Sequence, residues 1–218
     1  METIIIKNKE ELEKYKDEYG YHIKGNVVFE SSIEVEGRII VDGYIKAGGY
    51  IEAGLYIKAG LYIKAGLYIK AGEFIEADGS IKADGYIKAG GYIEAGLYIK
   101  AGLYIEAGLY IKAGEFIEAG EFIEAGWFIK AGEDSGISAE LSISCKTTLS
   151  FGLKAFAGIG VWREIDDEDK TITCGKLLKG EIGHGILKET GIEEESTSGK
   201  TVKIRLAGGE IVSGEIIE

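Results

Sequence analysis

From Val27 an aliphatic residue recurs at every sixth position without a break, through Ile33, Ile39 and Ile45 and on to Ile129, which makes eighteen hexads. Between Gly43 and Gly132 the unit reads aromatic, Ile, Lys or Glu, Ala, Gly, and then a variable Leu, Gly, Glu or Trp. A strand sends neighbouring side chains to opposite sides, so Ile and Ala point inward while the aromatic and the charged residue point outward. Three residues cannot bury their own apolar side, and other hexads of the same chain must cover it. A coil with three flat sides does this, each hexad making one side and one corner, so that roughly 18 residues close a turn and residue n lies about 4.8 Å under residue n+18. The pattern predicts an all-β fold, a capped parallel β-helix: a three-sided solenoid of about six coils, with a short N-terminal helix and a small C-terminal β-sheet domain.

The residue after Ala is Gly in thirteen of the fifteen regular hexads, the exceptions being Asp78 and Asp84. A position that takes Gly or Asp and no β-branched residue predicts a positive φ at the corner. The flanks follow other patterns. Residues 1–26 read as a strand and helix capping the first coil, with Ile4 to Ile6 as the strand, Asn8 and Glu11 as a capping box, and Leu12, Tyr15 and Tyr19 on one helical face ending at Gly20. Residues 27–132 form the hexad rod. After Gly132 the six-residue register breaks, and 133–218 reads as a sheet domain, with one hairpin over Thr171 to Glu189 turning near Lys179-Gly180 and another over Val202 to Ile217 turning at Gly208-Gly209.

Composition narrows the classes. Glycine is 34 of 218 residues and proline is absent, which excludes collagen, since that needs a three-residue glycine period and abundant proline. No uncharged run approaches the roughly 20 apolar residues of a membrane span, and the start METIIIKNKEELEK turns charged too soon for a signal peptide, so a cytoplasmic location with no membrane partner is the expectation. The net charge of −12 divides as −4 in residues 1–42, −2 in 43–132 and −6 in 133–218. A nearly neutral rod cannot present the continuous negative stripe of a duplex, so mimicry of nucleic acid is disfavoured. The densest acidic run, Glu164 to Asp169, reads as a solvated loop.

The hexad columns of GNVVFESSIEVEGRIIVDGYIKAGGYIEAG resemble those of hexapeptide-repeat acyltransferases and of bactofilins, the bacterial polymer-forming β-helix proteins, over residues 27–132. Acyltransferases of that type place the small inward residue two before the aliphatic one, whereas here Ala follows Ile by two. They also use a catalytic histidine, and no histidine lies between Ile23 and Gly183. The resemblance to bactofilins implies a self-assembling scaffold. The whole chain, including SISCKTTLSFGLKAFAGIGVWRE, is similar to uncharacterised proteins of phages and mobile elements of Firmicutes, which implies inhibition of a bacterial host or defence protein as its setting.

No catalytic constellation is legible. His22, His184, Cys145 and Cys174 have no metal-ligand spacing, the two cysteines give no disulfide framework, and GLKAFAGIG lacks the Lys-Ser/Thr of a phosphate loop. No metal, cofactor or enzymatic activity is therefore expected. The outward aromatics carry more information. By n+18 stacking, one side carries Tyr44, Tyr62, Ser80, Tyr98 and Phe116; the second Tyr50, Tyr68, Tyr86, Tyr104 and Phe122; the third Tyr56, Phe74, Tyr92, Tyr110 and Phe128. Leu55, Leu67, Leu103, Leu109 and Trp127 sit at the corners beside them. Such ladders stabilise adjacent strands, and three of them exceed the apolar patch a soluble monomer usually shows. The expectation is a non-enzymatic protein-binding solenoid whose partner is a protein or a second copy docked on one face, with nucleic-acid stacking disfavoured.

Overall fold

The computed structural model describes residues 1–192, 201–205 and 211–215. The chain winds as a parallel β-solenoid of about nine turns with 18 residues per turn, three turns more than the hexads alone predict. Its first face stacks Ile45–Ala47, Ile63–Ala65, Ile81–Ala83, Ile99–Ala101 and Ile117–Ala119. The second stacks Ile51–Ala53, Ile69–Ala71, Ile87–Ala89, Ile105–Ala107 and Ile123–Ala125, and the third Ile57–Ala59, Ile75–Ala77, Ile93–Ala95, Ile111–Ala113 and Ile129–Lys130. Pairing is strictly in register, Ile on Ile and Ala on Ala, as in Ile69↔Ile87 with Ala71↔Ala89. Every inward Ile from Ile45 to Ile129 is wholly buried. Each contributes on the order of 1.5–3 kcal/mol by leaving water, which is what three-residue strands lack on their own.

The corners correct the expectation of positive φ. Positive values occur only at Gly20, Gly25, Gly158, Gly180, Gly185 and Gly191 among the described residues, none of them a hexad corner. Glycine is required there for a different reason: a Cβ on Gly72 or Gly108 would run into the carbonyl oxygen of Gly54 or Gly90, the residue one coil below. At the two Asp corners the tight approach moves one residue along. A Cβ on Gly79 would stand 2.6 Å from the Leu61 oxygen and one on Gly85 2.8 Å from that of Leu67, so Asp78 and Asp84 keep their side chains.

At the N-terminal end the strand Thr3–Ile6 pairs in parallel with Asn26–Phe29 and is itself a rung of the first face. The helix α1 spans Lys9–Glu13 only, with the Asn8 side chain accepting the Glu11 N–H and the Glu11 carboxylate accepting the Lys7 N–H. The expected helical face stops short: Leu12 is buried, but Tyr19 lies past the helix and is exposed. The helix is capped at Lys14, and beyond it Asp17 accepts the Tyr19 N–H in a tight turn and an Arg38 hydrogen bond at 2.8 Å. Gly20, at φ 147°, then starts the strand Gly20–Ile23, which pairs with Arg38–Val41.

The stretch after Gly132 is also corrected, since up to Glu189 it extends the rod. Ile117↔Ile137 and Ile123↔Ile143 continue the first and second faces, and the residues added to the repeat lie in a turn at Glu133 and Asp134. A longer excursion between Gly158 and Lys170, holding the acidic run, leaves the coil before Ile172 pairs with Ile143. The expected hairpin over 171–189 is absent. Thr171–Cys174, Lys176–His184 and Ile186–Glu189 each pair in parallel with the coil below, and Gly180 sits inside a strand. Its glycine reflects a close crossing, because a Cβ there would enter the Phe151 ring. Thr201–Arg205 and Ile211–Glu215 do pair antiparallel, as the second hairpin requires, and its Gly208-Gly209 turn lies outside the described residues.

Candidate functional site

The outward aromatics form the predicted columns. Ring centroids of successive residues lie 4.4–4.9 Å apart with interplanar angles of 2–10°, from Tyr50 through Tyr68, Tyr86 and Tyr104 to Phe122, and from Tyr56 through Phe74, Tyr92 and Tyr110 to Phe128. The first face is broken into two pairs, Tyr44–Tyr62 and Tyr98–Phe116, by Ser80. The rings are half-buried against one another instead of standing free. Polar residues start each column: Asn26 and Ser32 accept the N–H groups of Tyr44 and Tyr50, and Arg38 donates to the Tyr56 hydroxyl.

The tyrosine hydroxyls reach the charged column beside them. Tyr68 donates to Glu52 at 3.2 Å, Tyr92 to Glu76 at 3.0 Å and Tyr110 to Glu94 at 3.1 Å. Burial, and then the bonded carboxylate, pushes the Tyr68 and Tyr110 phenols up to about 12, and Tyr92 shifts the same way. For Glu76 burial acts upward, but hydrogen bonds from Lys58 and Tyr92 outweigh it and hold the carboxyl below its usual range.

Charge is distributed unequally among the faces. The second face pairs Lys70 with Glu52 and Lys88 with Glu106, and the third pairs Lys58 with Glu76 and Lys112 with Glu94, all at 2.6–2.8 Å. The first face stacks Lys46, Lys64, Lys82 and Lys100 in succession, and only Lys100 finds a carboxylate, Glu118 at 2.6 Å. Lys46, Lys64 and Lys82 have no ion pair among the described residues. The near-zero charge of the rod conceals this segregation, which the n+18 rule exposes once it is applied to the charged column as well as the aromatic one.

Four exposed leucines stand among the corners bordering the same face. Leu61 and Leu97 stand on one edge of it and Leu67 and Leu103 on the other, between 42% and 53% exposed. Leu61 and Leu97 escaped the sequence reading, which named the corner leucines of only two edges. Leu55 and Leu109, on the opposite edge of the rod, are half-buried, and Trp127 beside them is exposed.

The remaining candidates for chemistry are scattered. His22 bonds Asp42 at 2.7 Å, and His184 Nδ1 bonds the Ala157 carbonyl. Cys145 and Cys174 are buried free thiols, pushed by burial to about 12 and about 11. No group of three or more His, Cys, Asp or Glu able to hold a metal occurs among the described residues, and no helix among them is long and apolar enough to cross a membrane. Comparison with protein-family models, with curated proteins and with solved structures finds no match to this chain.

Proposed function

We propose that this protein is a non-enzymatic, protein-binding β-solenoid, and that it binds through the first face. The observation that carries this reading is the placement of Leu61, Leu67, Leu97 and Leu103, four of the five large apolar side chains left exposed on residues 43–132, along the two edges of that face. Apolar anchors beside unpaired lysines suit a partner with an apolar centre and a carboxylate-rich rim. Inhibition of a bacterial host or defence protein, by a protein of a phage or mobile element, is the setting that the resemblance of the sequence implies.

Capture from a bacterial lysate tests the face. A protein retained by the wild type should be lost with Leu67→Glu/Leu103→Glu and kept with Leu55→Glu/Leu109→Glu on the far edge. Equal retention by both double variants overturns the assignment.

A second reading, a self-assembling scaffold, draws on the last rungs. Lys176–His184 and Ile186–Glu189 pair on one side only among the described residues, and an unpaired strand edge is a template for another copy. Sedimentation separates the two: a discrete species across a hundredfold range of concentration rules out the scaffold, and growth into long polymers supports it.

A further inference from the structure

The break at Ser80 leaves a shaped opening in the middle of the first face. Ile81 pairs with Ile63 below and Ile99 above, so Tyr62 and Tyr98 face one another two ladder steps apart with a serine between them. The adjoining stacks, Tyr44–Tyr62 at 4.8 Å and 8° and Tyr98–Phe116 at 4.9 Å and 5°, show how flat this column lies. Removing one ring from such a ladder leaves a slot one ring thick, walled by two aromatic faces. The same coil carries Gly79 and Gly85 at its corners where the coils above and below carry leucine, which opens the slot on both edges.

The resulting cavity of about 310 Å³ is lined by Tyr62, Tyr98, Ser80, Lys46, Lys64 and Lys82. The three lysines are stacked in register, and like charges placed directly across neighbouring strands repel. On the other two faces Lys58, Lys70, Lys88 and Lys112 each have a glutamate on one neighbouring strand, even where Lys70 stacks on Lys88; no described residue does this for Lys46, Lys64 or Lys82. Asp78 and Asp84 stand at the corners of the Ser80 coil but do not line the cavity, and Asp78 acts on Lys58 of the third face.

We propose that this slot is a binding site for a planar aromatic anion no larger than a nucleoside monophosphate. The ring enters between Tyr62 and Tyr98 in the position of the missing ladder residue, and its anionic group lies on Lys46, Lys64 and Lys82. Stacking is available to any planar ring, and the lysines add charge-assisted hydrogen bonds that a neutral ring cannot make. The volume is at the small end of ligand pockets, which sets the size limit. This inference goes beyond the protein-binding reading and needs no partner protein.

Calorimetric titration of the full chain with AMP and with phenyl phosphate tests it, with adenosine and inorganic phosphate as partial probes. Saturable binding of AMP or phenyl phosphate is expected, at least tenfold tighter than either partial probe and weakening as salt is raised. The tighter of the two tells whether a nucleotide or a simple aryl phosphate is the better source of the ring. Ser80→Tyr completes the ladder and should abolish binding without lowering Tm, and Lys64→Ala/Lys82→Ala should weaken it at least tenfold. Tyr86→Ser opens a gap beside ion-paired lysines on the second face and should create no second site. No saturable binding of either probe, equal binding of inorganic phosphate, or undiminished binding by Ser80→Tyr overturns the proposal. None of these outcomes bears on whether the leucine edges hold a protein.

Discussion

At the scale of single residues, the corner shows why a composition rule can be right for another reason. Asp and Gly share the position after Ala, but what glycine provides there is clearance from the carbonyl of the coil below, with φ remaining negative. The tolerance of each site is then set by where that clearance falls. Gly108→Ala should destabilise, because its methyl meets the Gly90 carbonyl, and so should Gly79→Ala, by about 1–3 kcal/mol each as for other overpacked sites. Asp78→Ala should stay within about 0.5 kcal/mol of wild type, as an exposed substitution away from such contacts. Chemical denaturation of the three variants decides it: a costly Asp78→Ala with a harmless Gly79→Ala would reverse the assignment.

At the scale of the element, the aromatic ladders belong to the energetics of the rod. Stacked pairs add roughly 0.5–1.5 kcal/mol each beyond area burial, and Tyr68, Tyr86 and Tyr104 take part in four of them. Replacing all three by Ser should therefore lower Tm by many degrees while leaving one cooperative transition, since the Ile and Ala columns beneath are untouched. An unchanged Tm would show that the rings stabilise nothing. The same ladders predict a response to alkali. The fold favours the neutral phenols of Tyr68 and Tyr110, whose pKa is raised from 10.0 to about 12, so their contribution is complete below about pH 10 and is lost as pH climbs through about 12. Tm should fall across that interval and less steeply in Tyr68→Phe/Tyr110→Phe. Tyrosinate absorbance that develops fully by pH 10 in the folded protein would contradict the burial of these hydroxyls.

At the scale of the whole molecule, one apolar column runs from Ile6 to Cys174 through every coil, so the segment after Gly132 shares the core of the hexad rod. Solenoid stability is a sum over nearest-neighbour coils, and the coils between Ile137 and Cys174 bury inward apolar side chains as the middle ones do. Cys145 and Cys174 report on this directly, being buried among those last coils with thiols held neutral by burial. At neutral pH a thiol reagent should modify neither in the native protein and both in denaturant. Rapid native labelling would mean that these coils open independently of the rod.

What the sequence determined by itself was everything that repeats. The six-residue spacing, the alternation of Ile and Ala with charge and ring, and the n+18 columns follow from strand geometry and from the need of short strands to be covered by their own neighbours. Those rules reach as far as the period does. Past Gly132 the inward alternation persists in Ile137, Ala139, Ile143 and Cys145, but extra residues shift the spacing, and only the tertiary structure decided that turns and a loop absorb them while the strands keep stacking. Gly180 could be a turn or a crossing until Phe151 was placed beneath it. The candidate sites divide in the same way. Ser80 was visible as a gap in a column, but the slot it leaves, the unpaired lysines beside it and the leucines along its edges are properties of one face of a closed coil. A face exists only once three non-adjacent hexads are brought into line, because strand pairing between coils, not sequence neighbourhood, decides which charges meet.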